Sequence, residues 1–115
     1  MTHTVSLLAD HKGFTKPRAN GDEYMVDAAI DITAYDSAGN VGELITASSL
    51  GLASITSAVI TGEEVAANGF SIIAGTDGSY TSNSSLTILG YVRATGVELT
   101  ATDVGVVRVR VFGLL

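Results

Sequence analysis

The sequence contains no cysteine and no tryptophan, and it has a single proline among 115 residues. Without cysteine the chain has no disulfide, no thiolate metal ligand and no thiol nucleophile, so packing and assembly must supply its stability. Aromatic platforms for stacking sugar rings are also scarce, because tryptophan is absent and there are four tyrosines. These absences favour a structural or interaction protein over an enzyme or a sugar-binding protein.

Charged residues are few as well, at 16% of the chain, against roughly 25% in typical soluble domains. The net charge of −6 argues against a nucleic-acid partner, which requires a dense basic surface, and against binding to an anionic membrane. No apolar run approaches the roughly 18 residues of a membrane span, and we expect no signal peptide in MTHTVSLLADHKG. A neutral surface rich in Ser, Thr and Gly is often covered by other subunits, and a soluble monomer is the alternative.

Apolar residues make up 46% of the chain, and they follow the alternation of β-strands. Residues 24–35 alternate with a period of two and predict a half-buried strand. Its core face is predicted to carry Val26, Ala28, Ile30, Ile32 and Ala34. Its outer face is predicted to carry Asp27, Ala29, Asp31, Thr33 and Tyr35.

Further strands are predicted at residues 4–9, 55–61, 70–74, 86–92 and 106–112. In the last of these the valines face the core, while Arg108 and Arg110 face outward. A turn is predicted over residues 36–39, and a hairpin tip around Asp77 and Gly78. We therefore expect residues 1–115 to form a single all-β domain, a small β-sandwich or flattened barrel of about six or seven short strands.

Two stretches nearly match, GELITASSLGL (residues 42–52) and VELTATDVGV (residues 97–106). In the first, we predict a corner between two sheets: a strand, then a single helical turn that Thr46 caps and Gly51 ends in the left-handed conformation, then a second strand. The leucines of this phrase predicted to close the end of the core are Leu44, Leu50 and Leu52. The second copy predicts the same corner, with Thr100 or Thr102 as the cap and Gly105 as the stop. Whether the two phrases reflect duplication stays open.

The polar segment Asp10–Glu23 is predicted to be a loop or arm. It carries three of the six basic residues, Lys12, Lys16 and Arg18, and Pro17 would stiffen it. Lys12, Lys16, Pro17 and Arg18 are the predicted partner-binding residues, reaching onto an acidic protein surface. The alternative is a solvated loop that keeps the protein soluble.

Few residues of the sequence are candidates for catalysis or metal binding. Asp10, His11 and Asp22 would form a zinc site only if the arm folded back, and we expect His3 and His11 to be solvated. Asp27 and Asp31 are a carboxylate pair of the kind used by a small hydrolase. We expect them instead to form salt bridges with Arg108 and Arg110 across a strand pair, or to lie on a face at a subunit contact. The sequence contains no motif of a catalytic triad, a metal cluster or a phosphate-binding loop. We therefore predict no enzyme, no catalytic residue, no cofactor and no metal.

The stretch GELITASSLGLASITSAVI (residues 42–60) and the tail ELTATDVGVVRVRVFGLL (residues 98–115) resemble a family of small tailed-phage virion proteins. The resemblance implies a non-enzymatic capsid cement or decoration protein that binds the major capsid protein or another virion protein. It also implies a place in the virion after assembly in the host cytoplasm, and a small homo-oligomer, with a trimer as the first expectation. The alternative hypothesis is a carbohydrate- or receptor-binding β module of a phage tail tip or fibre.

Overall fold

The computed structural model describes residues 3–36, 42–74 and 84–115, which form eight strands in two antiparallel sheets. The strands are β1 (His3–Leu7), β2 (Arg18–Asn20), β3 (Glu23–Ile32), β4 (Glu43–Thr46), β5 (Ser54–Glu63), β6 (Asn68–Ile73), β7 (Ser85–Val92) and β8 (Gly105–Leu114). A single 3₁₀ turn, Ser48–Leu50, separates β4 from β5. The all-β prediction is confirmed. No helix in these three ranges is long and apolar enough to cross a bilayer.

A five-stranded sheet has the order β1–β3–β8–β5, and β2 also pairs with β3. β8 pairs with one edge of β3. β1 and β2 pair with the other edge of β3, β1 along residues 28–32 and β2 along residues 23–25. A three-stranded sheet has the order β4–β7–β6. Apolar side chains of both sheets belong to one continuous core.

The alternation predicted for β3 and β8 is confirmed. Val26, Ala28, Ile30 and Ile32 are buried, as are Val107, Val109 and Val111. The register places Ala28 opposite Val109, so the two apolar rows continue across the sheet. Burying each such aliphatic side chain contributes about 1.5–3 kcal/mol, which makes this strand pair the centre of the fold.

The corner predicted at residues 46–51 exists, but its cap differs. Gly51 adopts the left-handed conformation with φ of 79°, as predicted, and Leu50 and Leu52 are buried. Thr46 does not cap the turn: the N-cap residue is Ala47, without a side-chain cap, and the Ser49 hydroxyl donates to the Thr46 carbonyl at 2.7 Å. Thr46 is still part of β4, so the turn begins one residue later than predicted.

Leu44 does not close the core and is 54% exposed. It lies inside β4, where side chains alternate between faces. Ile45 and Glu43 take the two inward positions, and both are buried. The prediction placed all three leucines of the phrase on one side, whereas the strand separates Leu44 from the other two.

The second helical corner was predicted wrongly. Residues 100–104 form a bend in which the Thr102 N–H donates to the Thr100 carbonyl at 2.7 Å. Gly105 begins β8 instead of ending a helical turn. The Tyr35 N–H donates to the Thr102 carbonyl at 3.0 Å, so contact with the chain beyond β3 holds this segment in the bend.

The polar segment Asp10–Glu23, predicted to be a loop or arm, contains a short strand. Arg18–Asn20 form β2, paired in register with Glu23–Met25 of β3. Near its start, Asp10 Oδ1 accepts from the Lys12 N–H at 2.8 Å and the Phe14 N–H at 3.0 Å. The predicted tip at Asp77 and Gly78 lies outside the described residues, as do residues 37–39 of the predicted turn.

Candidate functional site

An ion-pair cluster occupies the outer face of the five-stranded sheet. Asp27 lies directly opposite Arg110, and its two carboxylate oxygens accept from Arg110 at 2.8 and 3.2 Å. Arg18 of β2 donates to the same carboxylate at 3.2 Å. The predicted salt bridge between Asp27 and Arg110 is confirmed. Arg18, a predicted partner-binding residue, pairs with Asp27 within the chain.

The second predicted salt bridge is not formed. Asp31 lies opposite Val106, and Arg108 lies opposite Ala29. No ion pair joins Asp31 to Arg108 in the described part of the chain. Asp27 and Asp31 therefore differ in environment, since two guanidinium groups hold Asp27 while Asp31 is exposed.

The cluster predicts an acid-dependent stability. Hydrogen bonding from Arg110 lowers the pKa of Asp27 below its usual 3.8, more strongly than burial raises it. A carboxylate with a lowered folded-state pKa contributes stability that is present above its unfolded pKa and lost as pH falls through the folded value. Asp27→Asn should therefore flatten the fall in unfolding temperature below pH 3.8, at a cost of about 1 kcal/mol or less near neutrality.

This prediction is checked by thermal unfolding of both proteins across acid pH. Asp31→Asn is the matched control, because it removes the same charge from the same strand face at a residue without an arginine partner. Equal acid slopes in the wild type and in Asp27→Asn would contradict the assigned role of the cluster.

The predicted partner-binding residues separate into two environments. Lys12 and Lys16 are exposed. Pro17 is half-buried beside the 3₁₀ turn, with its ring carbons 3.4 Å from where a Cβ at Gly51 would lie. Arg18 is bound to Asp27. The segment is thus anchored at Pro17 and Arg18, and the two lysines remain as its exposed cations.

A buried carboxylate next to a histidine was missed by the sequence reasoning. Glu43 is only 1% exposed, and its carboxylate binds His3 Nδ1 and accepts from the Asp36 N–H at 2.9 Å. His3 was predicted to be solvated, which is wrong, whereas His11 is exposed. The alternation of β4 was the available signal, because Glu43 has the same parity as the apolar Ile45.

The candidate zinc ligands do not form a site. In the three described ranges, no group of three or more His, Asp or Glu side chains is arranged to hold a metal ion. Asp10 uses its carboxylate within its own turn.

Tyr35 is a second residue that sequence reasoning misplaced. It was predicted on the outer face, but β3 ends at Ile32 and Tyr35 is buried in the core. Its hydroxyl accepts from the Gly90 N–H at 2.9 Å and donates to Glu98 at 2.8 Å. Burial raises the pKa of Tyr35 to about 12, so the hydroxyl keeps its proton and acts as a structural donor.

The outer face of the three-stranded sheet carries no charged side chain along its strands; we call it the apolar face, although hydroxyl side chains outnumber aliphatic ones on it. The register brings Leu44, Thr87 and Ile73 into one row across β4, β7 and β6. The residues of the face are Leu44, Thr46, Ser71, Ile73, Ser85, Thr87, Leu89 and Tyr91. Leu44 and Ile73 are 54% and 43% exposed, so aliphatic surface faces solvent here.

Comparison of the chain with protein-family models, curated proteins and solved structures found no match. Its function must therefore be argued from its own surfaces.

A groove lies between β1 and β4, the end strands of the two sheets. Its volume is about 390 Å³, and its lining consists of His3, Thr4, Val5, Leu44, Thr46 and Ser49. These side chains offer aliphatic groups, hydroxyls and one imidazole.

Proposed function

We propose that the chain is a non-enzymatic structural component of a phage particle, and that it acts as capsid cement bound to the major capsid protein. The apolar face is the observation that carries this proposal. The centres of protein–protein interfaces are depleted in charged residues. On this chain, with a net charge of −6, the row of Leu44, Thr87 and Ile73 supplies such a surface.

The outer face of the five-stranded sheet is charged, which leaves the apolar face as the contact surface. It carries Asp27, Asp31, Arg108 and Arg110, with Asp27 and Arg110 already satisfied by each other. An ion-paired face is well solvated and gains little from being covered. The apolar face is therefore the better contact surface of the two.

The size of the apolar face bears on assembly. Three strands about 4.8 Å apart and roughly six residues long, at about 3.3 Å per residue, give an area on the order of 300 Å². Stable complexes bury about 800 Å² on each partner, so one such face holds a single copy weakly. A homo-oligomer, with a trimer as the first expectation, would present several faces and attach through avidity.

Lys12 and Lys16 add a further element to the proposal. Both are exposed in a chain that is otherwise acidic, and they would meet acidic groups on the capsid surface. Such peripheral charges mainly set the encounter rate and its sensitivity to salt.

Copy number tests the proposal. In virions purified from a culture that produces the chain, quantitative mass spectrometry should find a copy number comparable to that of the major capsid protein. A handful of copies per particle would support the tail-tip or fibre module instead. Absence of the chain from the particles would overturn the virion assignment altogether.

The contact surface is tested in the same system with Ile73→Lys and the matched control Val97→Lys. Both variants place a lysine at an exposed aliphatic residue, and Val97, 63% exposed, lies outside the apolar face. Pelleting with particles that lack the chain should show attachment of Ile73→Lys weakened by at least about tenfold, since a charge desolvated within an interface is costly. Equal attachment of the two variants would move the contact to another surface.

A further inference from the structure

The turn between β2 and β3 contains an asparagine followed by a glycine. Asn20 is the last residue of β2, and Gly21 and Asp22 connect it to Glu23, its partner in the register. Asn20 and Gly21 are both exposed. Gly21 has a φ of 68°, and a Cβ built on it would meet no atom within 4 Å. Solvent therefore reaches the Asn20–Gly21 peptide without obstruction from a side chain at residue 21.

The two groups that react in asparagine deamidation are both free at this turn. Within the described residues, neither the Asn20 side-chain amide nor the Gly21 N–H makes a hydrogen bond. The side chain of Asn20 is thus able to rotate toward the nitrogen of the next residue, and that nitrogen has no acceptor to hold its proton.

We propose that Asn20 is a site of spontaneous deamidation. The Gly21 nitrogen attacks the side-chain carbonyl carbon of Asn20, which closes a succinimide ring, and ammonia leaves with the proton of the Gly21 N–H. Water then adds to either carbonyl of the ring and opens it, leaving aspartate or isoaspartate at residue 20. The net reaction exchanges the side-chain NH₂ for OH. Water is its co-reactant, ammonia is its leaving group, and no atom is oxidised or reduced.

The sequence contains a second Asn–Gly pair, Asn68–Gly69, which the fold holds in place. Asn68 Nδ2 donates to the Val104 carbonyl at 3.4 Å, and the Asn68 carbonyl accepts from Arg93 at 2.8 Å. Gly69 is buried in β6 opposite Tyr91. Asn68 therefore reaches the geometry for ring closure only when β6 opens locally. The same dipeptide is exposed to the reaction at one end of the fold and protected from it at the other.

The isoaspartyl product would alter the hairpin, whereas the aspartyl product would not. In isoaspartate the main chain runs through the former side chain, which adds a carbon atom between residue 20 and Gly21. Asn20 and Glu23 close a two-residue turn, and the length of such a turn fixes the register of the strands that it joins. The added atom would break the pairing of β2 and release Arg18 from Asp27. The inference does not depend on the proposed function, because the reaction requires no partner.

Rates of deamidation at the two asparagines test the site. The full chain is incubated at mildly alkaline pH and digested after glutamate, which yields residues 1–23 with Asn20 as their single asparagine. Mass spectrometry should find Asn20 deamidating at least about tenfold faster than Asn68 in the folded protein, since Asn68 reacts only from an opened state. In urea that unfolds the chain, the two rates should converge. Equal rates in the folded protein, or an Asn20 that stays intact, would overturn the inference.

Two variants separate the chemistry from its consequence. Asn20→Gln keeps an amide but requires a larger ring, so the deamidation of residues 1–23 should be lost. Freshly prepared Asn20→Asp carries the charge of the product on an unchanged main chain. Hydrogen exchange within residues 18–20 should match the wild type in this variant and rise by at least about tenfold in the isolated isoaspartyl form, because the freed strand loses its protection. Deamidation that persists in Asn20→Gln would reject the site, and equal exchange in the aspartyl and isoaspartyl forms would reject the release of Arg18.

Discussion

Gly113→Ala should destabilise the fold by roughly 3 kcal/mol or more. Gly113 lies in β8 between Tyr24 of β3 and Ile55 of β5. A methyl group there would overlap the Ser54 carbonyl oxygen and approach Leu52 Cδ1 to 3.1 Å. The obstructing atom is backbone in the neighbouring strand, so relief requires β5 and β8 to separate. Urea unfolding measures the effect.

Gly62→Ala is the matched control for this prediction. Gly62 lies in β5 opposite Arg108 of the same strand pair, and a methyl group there would meet only Arg108 side-chain atoms at 3.8 Å. We expect a change within about 0.5 kcal/mol, since this is ordinary van der Waals contact on a surface face. If both substitutions cost the same, loss of glycine itself and not the clash explains the result.

Tyr35→Ala should cost about 3–5 kcal/mol, as expected for deleting a buried aromatic ring. The ring packs beside Gly90, where Leu99 and Phe70 also converge, and its hydroxyl ties β7 to Glu98. Because small domains are stable by only about 5–15 kcal/mol, this single change should bring the protein close to unfolding. Thermal and urea unfolding check the prediction.

Tyr35→Phe separates the ring from the hydroxyl. It keeps the packing but leaves the Gly90 N–H without its acceptor, so we expect a cost of about 1–3 kcal/mol. The pKa of Tyr35 is raised from 10.0 to about 12, so its contribution to stability is complete below pH 10.0 and lost as pH rises toward about 12. The phenylalanine variant should lose less stability over that range, and an unchanged alkaline slope would contradict the assignment.

The strands and their faces were largely predictable where alternation is long. In β3 and β8 the apolar residues recur every second position, and the structure buries each of the valines predicted for the core. The outward position of Arg110 followed from the same pattern, and its pairing with Asp27 followed once the two strands were placed side by side. Alternation is a local property of the chain, so it survives whatever the strands later pack against.

Predictions failed where a strand begins or ends. Tyr35 was counted on the outer face because the alternation was continued past Ile32, where β3 stops. Leu44 was placed in the core with Leu50 and Leu52, although alternation along β4 directs it outward. The second corner lacks its helical turn because the Tyr35 N–H draws the Thr102 carbonyl toward the end of β3. The errors at Tyr35 and at the second corner are boundaries set by contacts with distant segments.

Less of the candidate functional surfaces could be predicted from the sequence. Lys12, Lys16 and Arg18 were predicted together as partner-binding residues, but the sequence did not show that Arg18 pairs with Asp27. The contact between His3 and Glu43 joins residues separated by 40 positions. The apolar face depends on the order β4–β7–β6, which brings Leu44, Thr87 and Ile73 into one row.

The sequence by itself determined the all-β class, the inner and outer sides of the long strands and the left-handed stop at Gly51, because each depends on the conformation of a few neighbouring residues. Only the tertiary structure decided which strands lie at the ends of the sheets. That choice buries Glu43 against His3 and exposes Leu44. Strand order is a property of the whole packed domain, since each edge is chosen by competition among all the strands for partners.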